Sequence, residues 1–262
     1  MPEGDTVWRT ARRLHRALAG LTLTGSELRV PRHATVDLAG QTVHEVVARG
    51  KHLLHRIGDD TTLHTHLKME GSWHLYRPAS RWRRPAYQAR VVLRTQPWVA
   101  VGFDLGAVDV VRRDEEGRLV GHLGPDLLGP DWDLAEAVRR LSAQPDRQIG
   151  DALLDQHNLA GIGNMYKSEI CFLTGTHPLR RVGDIADLER VVSRAQVVLA
   201  GGRTSVEQAT TGDTRRGHRH WVYLRAGQPC RRCGTRIEGG TQGGAGRERE
   251  TFWCPHCQPL PT

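Results

Sequence analysis

Cys230-Arg231-Arg232-Cys233, then residues 234–253, then Cys254-Pro255-His256-Cys257: the C-terminal fold turns on how this stretch is read. Two Cys-x-x-Cys knuckles at this separation place four thiolates around one tetrahedral Zn²⁺. His256 is a possible competitor, but it sits inside a complete set of four. A site of this kind is structural, folding a small hairpin that is too short to build a core. The ligands are therefore Cys230, Cys233, Cys254 and Cys257, holding one zinc ion per chain. Cys171 stands apart. Zinc ligation rather than disulfide pairing suits a chain kept in the cytosol, where disulfides are rare.

Charge extends the reading outward. From Arg203 to the C-terminus there are ten arginines against five acidic residues, so five of the chain's eight net positive charges lie there. A metal-stapled basic hairpin is suited to gripping phosphate. Over the whole 262 residues, 37 Lys+Arg oppose 29 Asp+Glu, yet only Lys51, Lys68 and Lys167 are lysines. Arginine excess is mostly a composition effect, which makes each lysine worth examining. No run approaches the ~20 apolar residues that span a bilayer, excluding an integral membrane protein. The acidic start Met1-Pro2-Glu3-Gly4-Asp5 lacks a signal-peptide core, which places the chain in the cytoplasm, associated with the nucleoid if it binds DNA.

Upstream the pattern is mixed. Asp5 or Thr6 is expected to cap a helix to about Leu18, with Val7, Ala11, Leu14 and Leu18 as its buried stripe. From Leu21 to about Val111 short β-rich runs follow: 21–24, 42–47, 52–57, 89–93 and 98–103. Such runs predict an antiparallel sandwich. The Gly/Pro-rich segment 121–130 is the best boundary. Helices resume over 133–143, 147–154 and 184–200, and Gly161-Ile162-Gly163-Asn164 opens another through Phe172. Residues 201–217 read as a mobile loop, and no internal repeat is present. The fold class is α+β. Three domains are expected: 1–125, a β-sandwich; 126–220, helical; and 221–262, the cysteine hairpin.

Two further motifs carry chemistry. Glycines before a helix let a ligand approach the backbone, and unpaired N–H groups at the helix start attract phosphate. At the other terminus, removal of Met1 would leave Pro2 with a secondary amine. Attack of that amine on a sugar C1′ gives an iminium, cationic without protonation, which is an electron sink for eliminating a 3′ phosphate. Glu3 beside it is placed to donate and shuttle protons.

Taken together and in order, Met1-Pro2-Glu3-Gly4, Arg49-Gly50-Lys51-His52-Leu53-Leu54, His66-Leu67-Lys68-Met69-Glu70-Gly71, Gly161-Ile162-Gly163-Asn164-Met165-Tyr166 and the cysteine hairpin resemble the formamidopyrimidine-DNA glycosylase and endonuclease VIII family from end to end. The resemblance implies an N-terminal helix on a β-sandwich, then a helix–two-turn–helix domain and a zinc hairpin. It implies excision of oxidised bases from damaged double-stranded DNA by a bifunctional glycosylase/AP lyase with β,δ-elimination. By position, Pro2 is the Schiff-base nucleophile and Glu3 the proton donor. Lys51 is the proton donor in β-elimination, and Arg249 the hairpin arginine that grips phosphate and assists δ-elimination. Asn164 and His66 are phosphate contacts. Met69 is the wedge that fills the gap left by a flipped nucleotide, the alternative being a core methionine; Lys68 beside it is placed to touch the backbone. Lys167 follows the phosphate-binding turn and is expected to face DNA with the other two lysines.

One departure bears on substrate. Family members specific for 8-oxoguanine carry an Asp-Pro-Arg-Arg-Phe-Gly segment that probes the opposite cytosine. Here the matching stretch is Phe103-Asp104-Leu105-Gly106-Ala107-Val108, without arginine or a second aromatic. Pro-Glu-Gly, rather than Pro-Glu-Leu, also resembles the endonuclease VIII branch. Oxidised pyrimidines are thus the expected substrates, with no small-molecule cofactor, no membrane and a monomeric state. The competing readings are a glycosylase preferring 8-oxoguanine or formamidopyrimidine, a non-catalytic zinc-dependent DNA-binding protein, and a zinc-ribbon protein acting on RNA.

Overall fold

A computed structural model of the chain describes residues 2–244, 246 and 248–260. Met1, whose removal would expose the Pro2 amine, and Arg247 of the basic hairpin lie outside the described residues. The chain divides into a first compact unit ending at His122 and a second beginning at Leu123.

The first unit starts with helix α1 (Gly4–Leu18), which buries Val7, Ala11, Leu14 and Leu18. Its N-cap is Glu3, in extended conformation, rather than Asp5 or Thr6. Asp5 instead lies inside the first turn, buried and ion-paired to Arg9 at 3.1 Å, where a carboxylate favours the positive end of the helix dipole. The strands are β1 (Gly25–Leu28), β2 (Val43–Arg49), β3 (His52–Ile57), β4 (Thr61–His66), β5 (Ser72–Tyr76), β6 (Ala89–Arg94), β7 (Val99–Phe103) and β8 (Ala107–Arg112). They form two four-stranded sheets, β1-β6-β7-β5 and β2-β3-β4-β8, antiparallel throughout. The expected strand at 21–24 is reduced to one bridge, Thr22 with Thr42, and regular pairing starts at Gly25. Left-handed Gly20 and Gly40 bend the chain on both sides of that bridge. Leu14, Leu18, Leu53, Ile57, Leu63, Trp73, Val91 and Leu93 fill the main core, with α1 packed on β2.

After a single-turn helix α2 (Gly117–Val120), the second unit is helical: α3 (Leu134–Ser142), α4 (Ile149–Leu154), α5 (Asn164–Thr174) and α6 (Leu188–Gly201). Asp133 caps α3 as expected, its Oδ1 accepting from Glu136 N at 3.0 Å. The last helix starts later than its pattern suggested because Asp187, not Asp184, accepts from Arg190 N. Leu141, Leu153, Ile162, Ile170, Val192 and Leu199 form this unit's core. Strands β9 (Glu238–Gln242) and β10 (Arg249–Trp253) make the closing hairpin, with Phe172, Val222, Ile237 and Phe252 beneath it. The loop over 201–217, expected to be mobile, is tied down in the structure. Thr210 and Thr211 donate backbone hydrogen bonds to Arg219 O, and the Thr210 hydroxyl bonds Glu169.

Candidate functional site

The two units each carry part of the expected site. In the first, Pro2 is half-buried and Glu3 is fully buried where α1 begins. A two-residue turn, Gly50-Lys51, joins β2 to β3 and presents Lys51. Glycine is needed at 50 because φ is +57° there. Antiparallel register sets His52 directly opposite His66 on β4. Their rings meet edge to face at 4.8 Å.

Beyond His66 the chain turns sharply. Lys68 is left-handed (φ +52°), its N–H donating to His66 Nδ1 at 2.9 Å, and Gly71 N donates back to Leu67 O. Met69 sits at the tip of this turn, 61% exposed. A core methionine is therefore not what this residue is. Lys51, His66 and Lys68 lie close enough that both lysines act on His66. Burial, then the charges of Lys68 and Lys51, push that imidazole down to about 4. His52 is pushed down to about 3 by burial and by its histidine and lysine neighbours. This end of the sheet thus holds neutral imidazoles beside two lysines near pH 7.

The β7–β8 turn matches its sequence. Phe103 is buried against Tyr76 and Val101, and Asp104 is held by Arg84. No arginine or exposed aromatic projects from it.

In the second unit the Gly161–Asn164 turn leads into α5, of which every residue from Asn164 to Phe172 is buried. Asn164 Nδ2 donates to Glu250 O of the hairpin at 2.8 Å, and its Oδ1 is buried without a protein hydrogen-bond partner. The structure thus brings Asn164 beside strand β10, whose first residue is the exposed Arg249. Lys167 does not face solvent. It is fully buried, its Nζ donating to Thr251 Oγ1 at 2.6 Å. Helical phase explains the correction: position 167 is one turn after Asn164 on a helix enclosed on all sides, so it points at the hairpin. Thr251 also bonds Gln242 Oε1, and Gln242 donates to Gln148 and to Pro178 O. Gly150 makes room for that docking, since a Cβ there would lie 2.3 Å from Gln242 Oε1.

The sulfur atoms of Cys230, Cys233, Cys254 and Cys257 lie within 4.8 Å of one another, the one metal-competent cluster among the described residues, and His256 is not part of it. Hydrogen bonds from Thr235 pull the Cys233 thiol down to about 6, while burial pushes Cys254 and Cys257 up. Four soft donors at this spacing suit a thiophilic cation, which deprotonates all of them.

Sequence reasoning missed His64 and His122, which lie against His52, Asp109, which bonds His64, and the carboxylate of Glu169. That buried carboxylate accepts from the backbone N–H groups of Trp221, Val222 and Tyr223. Strand periodicity places His64 and His66 on one face, but only the register with β3 and β8 assembles the group.

The formamidopyrimidine-DNA glycosylase N-terminal domain matches residues 1–121, and the formamidopyrimidine-DNA glycosylase H2TH domain matches residues 123–213. "Probable endonuclease 8 2" of Streptomyces coelicolor is 54% identical over 100% of this chain and 95% of its own length. "DNA-(apurinic or apyrimidinic site) lyase Nei2" of Mycolicibacterium smegmatis is 50% identical over 98% of this chain and 99% of its own. Lactococcus lactis Fpg (MutM), solved with an oxidised-pyrimidine-containing DNA, superposes with a TM-score of 0.83 at 24% identity. That match covers 99% of this chain and 100% of the other, a likeness of fold.

Proposed function

The chain belongs to the formamidopyrimidine-DNA glycosylase family, and from that premise we propose that it is a bifunctional DNA glycosylase and AP lyase of base excision repair, acting on oxidised pyrimidines in duplex DNA. The observation that carries the reading is Glu3: a carboxyl group fully buried at the start of α1, directly after a half-buried proline. A carboxyl group held out of water beside the residue that would carry the nucleophilic amine is placed for proton transfer.

With Met1 removed, the Pro2 nitrogen attacks C1′, and the glycosidic bond breaks with its electron pair leaving on the base. Glu3 supplies a proton to the sugar ring oxygen or to the departing base, and the ring opens to the iminium. Loss of the C2′ proton then forms a C2′=C3′ bond as the 3′ phosphate departs; a second elimination releases the 5′ phosphate. Water frees Pro2. Lys51 donates a proton during β-elimination, and Arg249 grips phosphate and assists δ-elimination. His66 and Lys68 contact the backbone, and Asn164 offers its second amide proton to a phosphate oxygen. Met69, exposed at a turn tip, replaces the extruded nucleotide in the stack. The four cysteines hold one structural Zn²⁺ that keeps the hairpin, and hence Arg249, in shape. The functional division is a catalytic β-sandwich over 1–125, a helix–two-turn–helix domain over 126–220 and a zinc hairpin over 221–262, and the β7–β8 turn, without an arginine or a second aromatic, favours pyrimidine lesions over strict 8-oxoguanine–cytosine pairing.

Borohydride trapping tests the mechanism. Wild-type protein should form a covalent adduct with abasic duplex, and Pro2→Gly should form none. Equal trapping by the variant would sink it. Duplexes carrying thymine glycol, 5-hydroxycytosine or 8-oxoguanine against each base test the substrate class.

A further inference from the structure

The turn that carries Met69 is held from two sides. It spans 67–71, closed by the Gly71 N–H on Leu67 O at 2.9 Å, with Lys68 left-handed at φ +52°. On one side lies the β7–β8 turn. Gly106 N donates to His66 O at 2.9 Å. A Cβ at Gly106 would lie 2.7 Å from Lys68 Cβ, so only glycine lets the two turns meet.

On the other side is Arg84, from the connection between β5 and β6. Its Nη1 donates to Glu70 O at 3.3 Å, next to Met69, and to Ser72 Oγ at 3.0 Å at the start of β5. Nη2 donates to the Asp104 carboxylate of the β7–β8 turn, and Nε to Gln88 Oε1 at 3.1 Å. Gln88 O in turn accepts from Asp104 N at 2.9 Å, which braces the same turn through the backbone. The guanidinium also stands over the Phe103 ring, 5.7 Å from its centre. A planar fork of fixed donors ties a carbonyl, a hydroxyl and a carboxylate at once, as a lysine does not. Asp104 is left-handed at φ +45°, a conformation in which Asp and Asn are enriched. It is the one charged residue of 103–108, and its carboxylate faces Arg84, with Arg90 at 4.0 Å.

We propose that Arg84 is a positioning residue for nucleotide extrusion: it bolts the Met69 turn to the β7–β8 turn, so that the wedge has its shape before DNA arrives and little ordering is needed on insertion. In this chain the β7–β8 turn serves as the bracket of the wedge. The inference rests on the reading of Met69 as that wedge.

Stopped-flow fluorescence of the full-length zinc-loaded protein tests it. The probe is a duplex with a tetrahydrofuran abasic analogue, which offers the amine no leaving group at C1′, and 2-aminopurine opposite. A concentration-dependent binding phase should be followed by a concentration-independent insertion phase, which Met69→Ala abolishes. Arg84→Met keeps the side-chain stem and should slow insertion at least about tenfold, the scale of lost hydrogen bonds to a charged group. The binding phase, the melting temperature and Kd for intact duplex should hold. Asp104→Asn keeps the left-handed backbone and should slow insertion less. The double variant should be no slower than Arg84→Met, because both changes cut one bolt. Insertion by Arg84→Met at the wild-type rate, with Met69→Ala silent, overturns the bolt alone. So do additive effects of the two changes, or slowing that comes with a lower melting temperature or weaker binding of intact duplex. A wild-type protein with no insertion phase, or a phase that survives Met69→Ala, ends the wedge reading and the bolt's role with it.

Discussion

The Lys51–His66 end of the first unit and the cysteine hairpin of the second hold functional side chains by opposite means. The former sits on a four-stranded sheet backed by a core running from α1 to β7, and its geometry comes from register alone. The hairpin has two strands, β9 is exposed except at Gln242, and its core is a handful of side chains. It is held by four thiols at one end and a buried polar strap, Lys167–Thr251–Gln242, at the other. Where burial is plentiful, polar residues can line up across strands, as His52, His64 and Asp109 do. Where it is scarce, polar residues themselves become the staple.

That contrast can be broken most severely at the thiols. Cys254→Ser, or a strong chelator, should unfold the hairpin and abolish DNA binding while the first unit's melting transition stays put; retained affinity without zinc would contradict it. Next is the strap. Lys167→Met removes the donor to Thr251 and should cost the second unit about 1–3 kcal/mol, read by denaturant unfolding. No change would mean that the cysteines suffice.

Acid should sharpen the difference from the other side. His52, His55 and His66 are held at about 3 to 4 in the folded chain, against 6.5 for an unperturbed histidine. The unfolded chain therefore binds more protons below pH 6.5. The stability of the first unit should be full above that value and fall progressively toward pH 4. Thermal melting across that range with EDTA present separates this loss from zinc release, and a flat profile would mean the histidines are not depressed. The smallest effect is expected from Arg249→Ala. It should weaken DNA binding and reduce the magnitude of the log–log salt slope by about 0.9, one phosphate contact.

Local patterns carried much of this molecule. The stripe of α1, the Asp133 cap, the glycine turn before α5 and the cysteine spacing are all short-range signals, and each element formed near its expected place. What stayed hidden was long-range. Strand β4, Thr61–His66, is rich in threonine and histidine, yet buries Thr62, His64 and Thr65, so polarity concealed it. The His52–His64–Asp109 chain joins residues 12 and 45 positions apart, which only sheet register can align. Lys167 was misread because scarcity suggests exposure and function, whereas a helix buried on every side has no outward face for periodicity to reveal.

That buried lysine has a practical corollary. The chain has three lysines, and with Lys167 sealed inside, Lys51 and Lys68 are the side-chain amines left within reach of solvent. An acylating reagent at mild pH would therefore report on one small patch of the protein and on its amino terminus. Protection of those sites by a duplex, read by mass spectrometry, would amount to a footprint of where the nucleic acid rests.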